Sequence, residues 1–556
     1  MKTERLCQII AIGIGARCAF AATNNAAAIG VDGLCYLEVA RAYLRHDWHT
    51  ALNAYWGPLY SWLLTLGMTV THPSVESELP LAQAVNFIIF VVSVFTFGAC
   101  WRAIGERSLK ESEPGTSLVE IYPAGWTVFG YALFVSAAAW YVGSLVPDLL
   151  VAAIVFATIT VLLRLDDGAN DTMAAYVGFG ALLALGYYAK VILSYFGLLL
   201  LIGLFLKHFK KRSYVRPVAT FVTFLLLISP FAFFLSKMLG HFTIGETGRL
   251  SYSWLANVPE TKTWLRGQAE ETAALPYYPG PLLHDNPMVF RLPLLPGITY
   301  APRYDPSRYD LRNHPHFSLR PQLERIAINL RPFKQLLLEA QGSLLVMLFI
   351  LVLYSPREFF RKLIGSWFYA VPVLVIISMY VLVFMTWRYL LAFSPLLWGT
   401  ALASISIPNG WRNTVRPIVL AGLIVFGLQT GPGLLHFLVQ RDNTADGEIA
   451  LAHTLSEYGI KQGDTVAIFG TGQNAWWAHL AGVSISAELW SLDVSKFLAG
   501  SPSDQYEILQ TMLSTGAKAI VWRRDSKEAC PLSWEPLSGS PGCIYALDNS
   551  VDIHHK

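Results

Sequence analysis

Four ionisable residues lie beside apolar segments long enough to cross a membrane, where charged side chains are rare. Asp32 follows the first such segment, Asp148 begins a later one, and Lys190 and Arg388 each lie between two others. An ionisable group at membrane depth is costly, so it generally marks a functional site or a buried ion pair. Two carboxylates can accept a proton and two cations can stabilise negative charge, so the four residues at one membrane surface could form such a site.

Each of these residues also has a purely structural interpretation. Asp32 and Asp148 could cap the helices that follow them. Lys190 and Arg388 could extend their long side chains to the membrane interface. Two acids and two bases on the same side of the membrane favour a site over four separate structural roles.

A second group of charges follows Asp32 in the stretch "DGLCYLEVARAYLRHDW". Glu38, Arg41 and Arg45 share a helical face at i+3 and i+4 spacing. This spacing predicts a solvated face with local ion pairs, on which substitution of Glu38 by Gln should be nearly silent.

The composition indicates which elements must position these residues. The chain has 556 residues, of which 54% are hydrophobic and 14% charged, against about 25% charged in a typical soluble domain. This composition predicts a polytopic α-helical membrane protein. The net charge of +3 and the lack of a basic run give no indication of a nucleic-acid partner. The N-terminus could be a signal peptide, but Arg17 interrupts its apolar core, which favours an uncleaved first helix.

Segments of about 20 apolar residues predict eleven membrane spans. They lie at about 6–22, 81–101, 121–142, 148–163, 173–189, 191–206, 217–238, 336–354, 367–387, 389–407 and 417–437. Residues 56–70 are too few to span and are expected to form a helix at the membrane interface. With this count most Lys and Arg residues of the loops are cytoplasmic, which predicts a cytoplasmic N-terminus and an extracytoplasmic C-terminus.

These spans define a transmembrane domain at 1–438, with exterior loops at 23–80 and 239–335, and a tail at 439–556. The long loop is rich in Pro and Tyr and is expected to have little regular structure, either as a passive cap or as a gate for substrate. The tail alternates helical and strand patterns, which predicts a small, separable α/β domain with a parallel sheet. Its "FGTGQNA" segment lacks a phosphate-binding lysine and is interpreted as a tight turn. Cys530 and Cys543 could be a disulfide or two free thiols.

The motifs of the first loop resemble those of a known family. "DGLCYLEVARAYL" followed by "WGPLY" resembles the GT-C membrane glycosyltransferases, in particular the RgtA/B/C/D-like and aminoarabinose-transferase/protein O-mannosyltransferase-like group. "PDLLVAA", "GYYAKV" and "RYLLAFSP" resemble later motifs of that group, and the resemblance covers about the first 430 residues. This sequence departs from the family at two places. The family often has two adjacent acids where this sequence has Asp32-Gly33, and a lysine before the Pro-Leu segment where this sequence has Trp56-Gly57. The role of that lysine in binding donor phosphate is therefore not carried over.

The resemblance implies transfer of a sugar, with inversion, from a polyprenyl-phosphate donor to a glycan, lipid or protein acceptor outside the cytoplasm, in the inner (plasma) membrane. Asp32 would orient or deprotonate the acceptor, and Asp148 would orient the acceptor or hold a divalent metal ion. No other cofactor is implied. The expected substrate-binding residues are Lys190, Arg388, Tyr36, Trp56, Tyr60 and Tyr389. The alternative is a transporter or lipid-binding membrane protein without chemistry.

Overall fold

The computed structural model of the chain describes residues 2–168, 171–209, 214–256, 280–309, 315–439, 444–523, 530–531, 534–537 and 542–546. Parts of the loop at 239–335 and of the tail therefore lie outside the described residues. This loop and the one at 23–80 are called the long and the first exterior loop, the names given to them by the sequence prediction. Most of what is described is helical, as the apolar composition predicts.

The helices before the tail include the apolar elements and the short helices that connect them. In chain order they are α1 Lys2–Ala22, α2 Gly30–Leu44, α3 Trp48–Ala51, α4 Pro58–Thr71, α5 Glu78–Glu111, α6 Leu118–Ile121, α7 Pro123–Val142, α8 Asp148–Asp166, α9 Met173–Ala189, α10 Ile192–Phe209, α11 Val215–Leu239, α12 Thr247–Leu255, α13 Ala301–Tyr304, α14 Leu319–Lys334, α15 Gly342–Leu353, α16 Pro356–Gly365, α17 Trp367–Val383, α18 Phe393–Ala403 and α19 Arg412–Val439.

Six of the described helices are long and apolar enough to cross a membrane, so the chain is a multi-pass membrane protein. They contain α1, α5, α7, α8, α11 and α19. Two bent pairs, α14 with α15 and α16 with α17, raise the number to eight if each is one span. α9 and α10 are shorter, and the span predicted at 389–407 contains only the 11-residue α18. The total of eleven spans is therefore not confirmed. α4 is not among the spans, in agreement with the sequence prediction.

The tail forms a layered α/β unit. Its helices are α20 Thr444–Glu457, α21 Trp476–Ala481, α22 Val494–Ala499 and α23 Pro502–Leu513. Side chains of α20 and α21 pack on one face of a sheet, and those of α22 and α23 pack on the other. Cys530 and Cys543 are joined by a disulfide, which decides between the two alternatives left open by the sequence.

The sheet of this unit has seven strands in the order β1-β2-β4-β3-β5-β7-β6. They are β1 Leu282–His284, β2 Val289–Arg291, β3 Thr465–Phe469, β4 Ser484–Leu489, β5 Ala519–Arg523, β6 Glu535–Pro536 and β7 Gly542–Ala546. The three central strands are parallel, as expected, and the outer pairings are antiparallel. β1 and β2 belong to the long exterior loop, so the prediction of little regular structure there is wrong at this hairpin. Residues 257–279 and 310–314 of that loop lie outside the described residues.

The C-terminal unit contacts the first exterior loop through a buried charged cluster. His479 of α21 lies 2.8 Å from a carboxylate oxygen of Glu78 and 3.6 Å from one of Glu38. Glu38 also accepts a 2.8 Å hydrogen bond from the backbone N–H of Thr299, and Arg41 pairs with Glu78. The prediction that Glu38 lies on a solvated face is therefore wrong, because the helical spacing identifies a face but not the distant element that covers it.

Candidate active site

The four charged residues selected from the sequence meet in one cavity. The cavity has a volume of about 300 Å³ and is called the charged cavity here. Asp32, Asp148, Lys190 and Arg388 line it, and Arg303 of the long exterior loop joins them. Three cations against two carboxylates leave an excess of one positive charge. This excess suits an anionic ligand.

Each charged side chain lies at the end or interruption of a helix. Asp32 is in the first turn of α2, and Asp148 begins α8 directly after Pro147. Lys190 is extended, with φ −161° and ψ 126°, in the break between α9 and α10. Arg388 lies in the 3-10 turn Trp387–Leu390, between α17 and α18. Arg303 lies in the single turn of α13. Because these positions are at helix ends and breaks, the ionisable groups can meet in one cavity without lying in the middle of apolar helices.

The two aspartates are not helix caps. The N-cap position of α2 is Ile29 and that of α8 is Pro147, and neither makes a side-chain capping bond. Asp32 instead accepts hydrogen bonds from Arg388 at 2.7 Å and from Arg303 at 3.1 Å. The capping interpretation is therefore wrong for both residues.

Arg388 connects the two acids, and Lys190 completes the cluster. Arg388 Nε lies 3.7 Å from Asp148 Oδ2 while its Nη2 binds Asp32. Lys190 Nζ donates to Asp148 Oδ1 at 3.0 Å and lies 3.9 Å from the centre of the Tyr389 ring. Both cations are thus fixed by carboxylates, and the interpretation that they extend freely to the membrane interface is wrong.

The cluster keeps unused hydrogen-bonding capacity. Asp148 Oδ2 is buried and accepts no hydrogen bond from any residue that the structure describes. Within the same part of the chain, the Nε of Arg303 is also buried without an acceptor. Buried polar atoms are normally satisfied, so one free acceptor and one free donor beside a cavity are what a polar ligand needs.

The surrounding charges change the acidity of Asp32 and Lys190. Burial raises the pKa of Asp32, but the guanidinium groups of Arg388 and Arg303 outweigh burial and hold this pKa below its usual value. Burial lowers the pKa of Lys190, but the carboxylate of Asp148 outweighs it and raises this pKa above its usual value. At neutral pH both groups are therefore charged.

Aromatic rings form the walls of the charged cavity. Tyr36, Trp56 and Tyr389 line it, as the sequence predicts. Tyr36 packs edge-on against Trp56, with ring centres 5.2 Å apart. Tyr60 does not line the cavity: it is fully buried behind Tyr36 and donates a 2.6 Å hydrogen bond to Asn86. Tyr60 therefore supports the wall without facing a ligand in the cavity.

Gly57 allows the first loop to approach the helix end that carries Lys190. A Cβ atom at this position would lie 2.7 Å from the carbonyl oxygen of Ala189 and 2.8 Å from that of Tyr188. Such distances are sterically forbidden, and the atoms encountered belong to the backbone. Glycine at position 57 is therefore required for this close approach.

Arg303 is the site residue that the sequence prediction missed. Its backbone carbonyl accepts a 3.4 Å hydrogen bond from the Trp56 indole, and its guanidinium lies 5.1 Å from that ring's centre. The Tyr304 carbonyl accepts a 2.6 Å hydrogen bond from Asn53, which fastens α13 to the first loop. The only signal in the sequence was an arginine between aromatic residues in an exterior loop.

The side chains of the charged cavity do not fit a divalent metal ion. Across the described ranges, no group of three or more His, Cys, Asp or Glu side chains could hold one. Arg388 also lies between the two carboxylates, where its positive charge would oppose a cation. No step is therefore derived through a metal ion.

A second, larger cavity lies beside the charged one. It has a volume of about 560 Å³ and is mostly apolar; we call it the apolar cavity. The turn that carries Arg388 separates the two: Arg388 and Tyr389 line the charged cavity, whereas Trp387 and Leu390 line the apolar cavity. One turn thus presents cationic and apolar side chains to adjacent spaces.

The chain resembles two solved structures. The Archaeoglobus fulgidus oligosaccharyltransferase, tethered to an acceptor peptide, matches with a TM-score of 0.49 and 11% identity over 93% of this chain and 68% of that one. ArnT from Cupriavidus metallidurans, bound to undecaprenyl phosphate, matches with a TM-score of 0.42 and 12% identity over 97% of each chain. Comparison with protein-family models and with curated proteins finds no match. Both similar structures are GT-C glycosyltransferases, the group that the first-loop motif resembles. Because both TM-scores are below 0.5, the function is inferred from the site geometry.

Proposed function

We propose that the protein is a membrane glycosyltransferase that moves a sugar from a polyprenyl-phosphate donor to an acceptor on the extracytoplasmic side. The observation that carries the proposal is the junction of the two cavities at Arg388. A polyprenyl phosphate has a charged head joined to a long apolar chain. The charged cavity offers cations for the head, and the apolar cavity offers space for the first units of the chain.

Transfer proceeds as a single displacement. The acceptor oxygen attacks the anomeric carbon of the donor sugar, and the bond between that carbon and the phosphate oxygen breaks. The electron pair of the broken bond stays on the phosphate, which leaves with an additional negative charge. Lys190 and Arg388, which are already held in place by carboxylates, stabilise this charge. Attack from the face opposite the phosphate inverts the configuration at the sugar carbon.

Asp32 receives the proton of the acceptor hydroxyl. Its lowered pKa makes it a weak base before reaction, but also keeps it ionised and able to accept a hydrogen bond. The hydroxyl proton becomes strongly acidic only as the new bond forms, so Asp32 needs little basicity until late in the step. Asp148, through its free Oδ2, accepts a hydrogen bond from a substrate hydroxyl.

A comparison of a deletion strain with its parent tests the proposal. The strain without the protein should lack one sugar from an envelope glycan, lipid or protein and should accumulate a polyprenyl-phosphate sugar. Complementation with the wild-type gene should return the missing sugar and remove the accumulated donor. Complementation with the Asp148→Asn gene should do neither. A transporter or lipid carrier without chemistry would instead form no new bond between sugar and acceptor when donor is supplied at the exterior face.

A further inference from the structure

One loop of the C-terminal unit reaches two neighbouring cavities. Residues 470–475 follow β3, and Gln473 of this loop lines the charged cavity. The next residue, Asn474, lines a separate space of about 340 Å³ between the C-terminal unit and the first exterior loop, called the interdomain cavity here. The loop thus connects the reacting groups with a second space that the proposed chemistry does not use.

Packing fixes the position of this loop. A Cβ atom on Gly472 would lie 2.4 Å from the ring of Tyr300, so only glycine allows this approach. Gly470 has φ +96°, in the left-handed region that favours glycine. Tyr300 also donates a 2.8 Å hydrogen bond to Glu488 of β4. The amides of Gln473 and Asn474 are therefore presented from a rigid turn.

The interdomain cavity combines apolar side chains of the first exterior loop with polar side chains of the C-terminal unit, and one of its polar atoms is unsatisfied within the described residues. Glu448 and Arg523 form an ion pair at its wall. Trp476 lines the same space and is 3% exposed, and its indole N–H has no hydrogen-bond partner in the part of the chain that the structure describes. An unpaired buried donor costs free energy, so this N–H is explained if a ligand oxygen occupies the cavity.

The interdomain cavity also lies where α/β folds commonly bind ligands. Arg523 is the last residue of β5, and the loop with Asn474 follows β3, the adjacent parallel strand. In open α/β sheets, ligands bind outside the carboxyl ends of the parallel strands. The location therefore agrees with the chemistry of the lining.

We propose that the interdomain cavity, with Gln473 and Asn474 at its border with the charged cavity, binds a hydroxyl-rich glycan as the sugar acceptor. This inference rests on the proposed transferase function and specifies its acceptor class. Each sugar hydroxyl both donates and accepts, and it matches amide, carboxylate and guanidinium groups that offer both roles. An extended peptide would need a free strand edge, which neither β3 nor β5 provides.

The test is binding of the purified full-length protein to an immobilised array of neutral and acidic oligosaccharides, with peptides on the same surface. We expect binding to at least one glycan and to no peptide. Asn474→Ala and Gln473→Ala should weaken it at least tenfold. Gln510→Ala is the matched amide control; Gln510 lies on α23, outside the lining of both cavities, and its variant should bind as the wild type does.

A parallel measurement of undecaprenyl phosphate binding separates this inference from the proposed function. We expect Asn474→Ala, which lies outside the lining of the charged cavity, to bind the lipid phosphate with wild-type affinity. Binding of the lipid phosphate without any glycan, or binding of peptides instead, would overturn the glycan site and leave the transferase proposal standing. Binding of glycan without the lipid phosphate would support the site and contradict the proposed donor.

Discussion

The contact between the C-terminal unit and the first exterior loop should weaken when the pH rises above about 9. Burial lowers the pKa of His479, but the carboxylates of Glu38 and Glu78 outweigh burial and raise it from 6.5 to about 9. Each pKa unit corresponds to about 1.4 kcal/mol, so protonated His479 contributes roughly 3 kcal/mol to stability. Because the folded pKa exceeds the unfolded one, this contribution is fully present below pH 6.5 and is lost as the pH rises through about 9.

Thermal unfolding of the full-length protein in detergent, followed by tryptophan fluorescence between about pH 6 and 10, measures this effect. Wild-type Tm should fall by several degrees across the upper half of the range. His479→Gln should have a lower Tm at pH 6 and a smaller fall. His453→Gln is the control, because His453 pairs with Glu76 at the surface, where an ion pair contributes little. Parallel pH profiles for wild type and His479→Gln would show that His479 does not cause the pH dependence.

Three further outcomes follow from the fold and the site. Gly57→Ala should cost about 1–3 kcal/mol of stability by overpacking and should weaken lipid phosphate binding. Gly178→Ala should do neither, because a Cβ atom there meets nothing within 4 Å. Unchanged melting and binding in Gly57→Ala would contradict the close approach. Arg388→Lys keeps the charge but cannot contact Asp32 and Asp148 together. Binding of undecaprenyl phosphate, measured by titration, should therefore weaken about tenfold or more. Wild-type affinity would show that the guanidinium's contact with both carboxylates is not needed. Residues 444–556 expressed alone should aggregate in size-exclusion chromatography, because β4 loses its partner β2. A soluble monomer would instead agree with the separable domain that the sequence predicts.

The charged residues of the site could be predicted because the membrane makes them conspicuous. Asp32, Asp148, Lys190 and Arg388 stand out in a chain with 14% charged residues, and the ends and breaks of helices bring them together. The sequence could not show that Arg388 contacts both acids, since that depends on how α2, α8 and the turn before α18 pack. Their roles in catalysis and binding stay predictions.

The failures have a common physical cause. Arg303 lies in an exterior loop with no periodic pattern, so nothing local relates it to Asp32, 271 positions away. Glu38 has the spacing of a solvated helical face, but His479, far along the chain, covers it. β1 and β2 have three residues each, too few for an alternating pattern to appear. Long-range contacts decided all three cases.

Transfer of labelled sugar from a polyprenyl-phosphate donor by the purified protein tests the proposed activity and the role of Asp32 in it. Asp32→Asn removes the charge and the basicity of this carboxylate while keeping its shape. Asp47→Asn is the control, because Asp47 caps α3 and Asn caps a helix about as well. We expect Asp32→Asn to fold and to bind donor, but to transfer sugar more slowly by a factor of roughly 10² or more. Asp47→Asn should transfer sugar at the wild-type rate. A folded Asp32→Asn protein that transfers sugar at the wild-type rate would contradict the proposed role of Asp32.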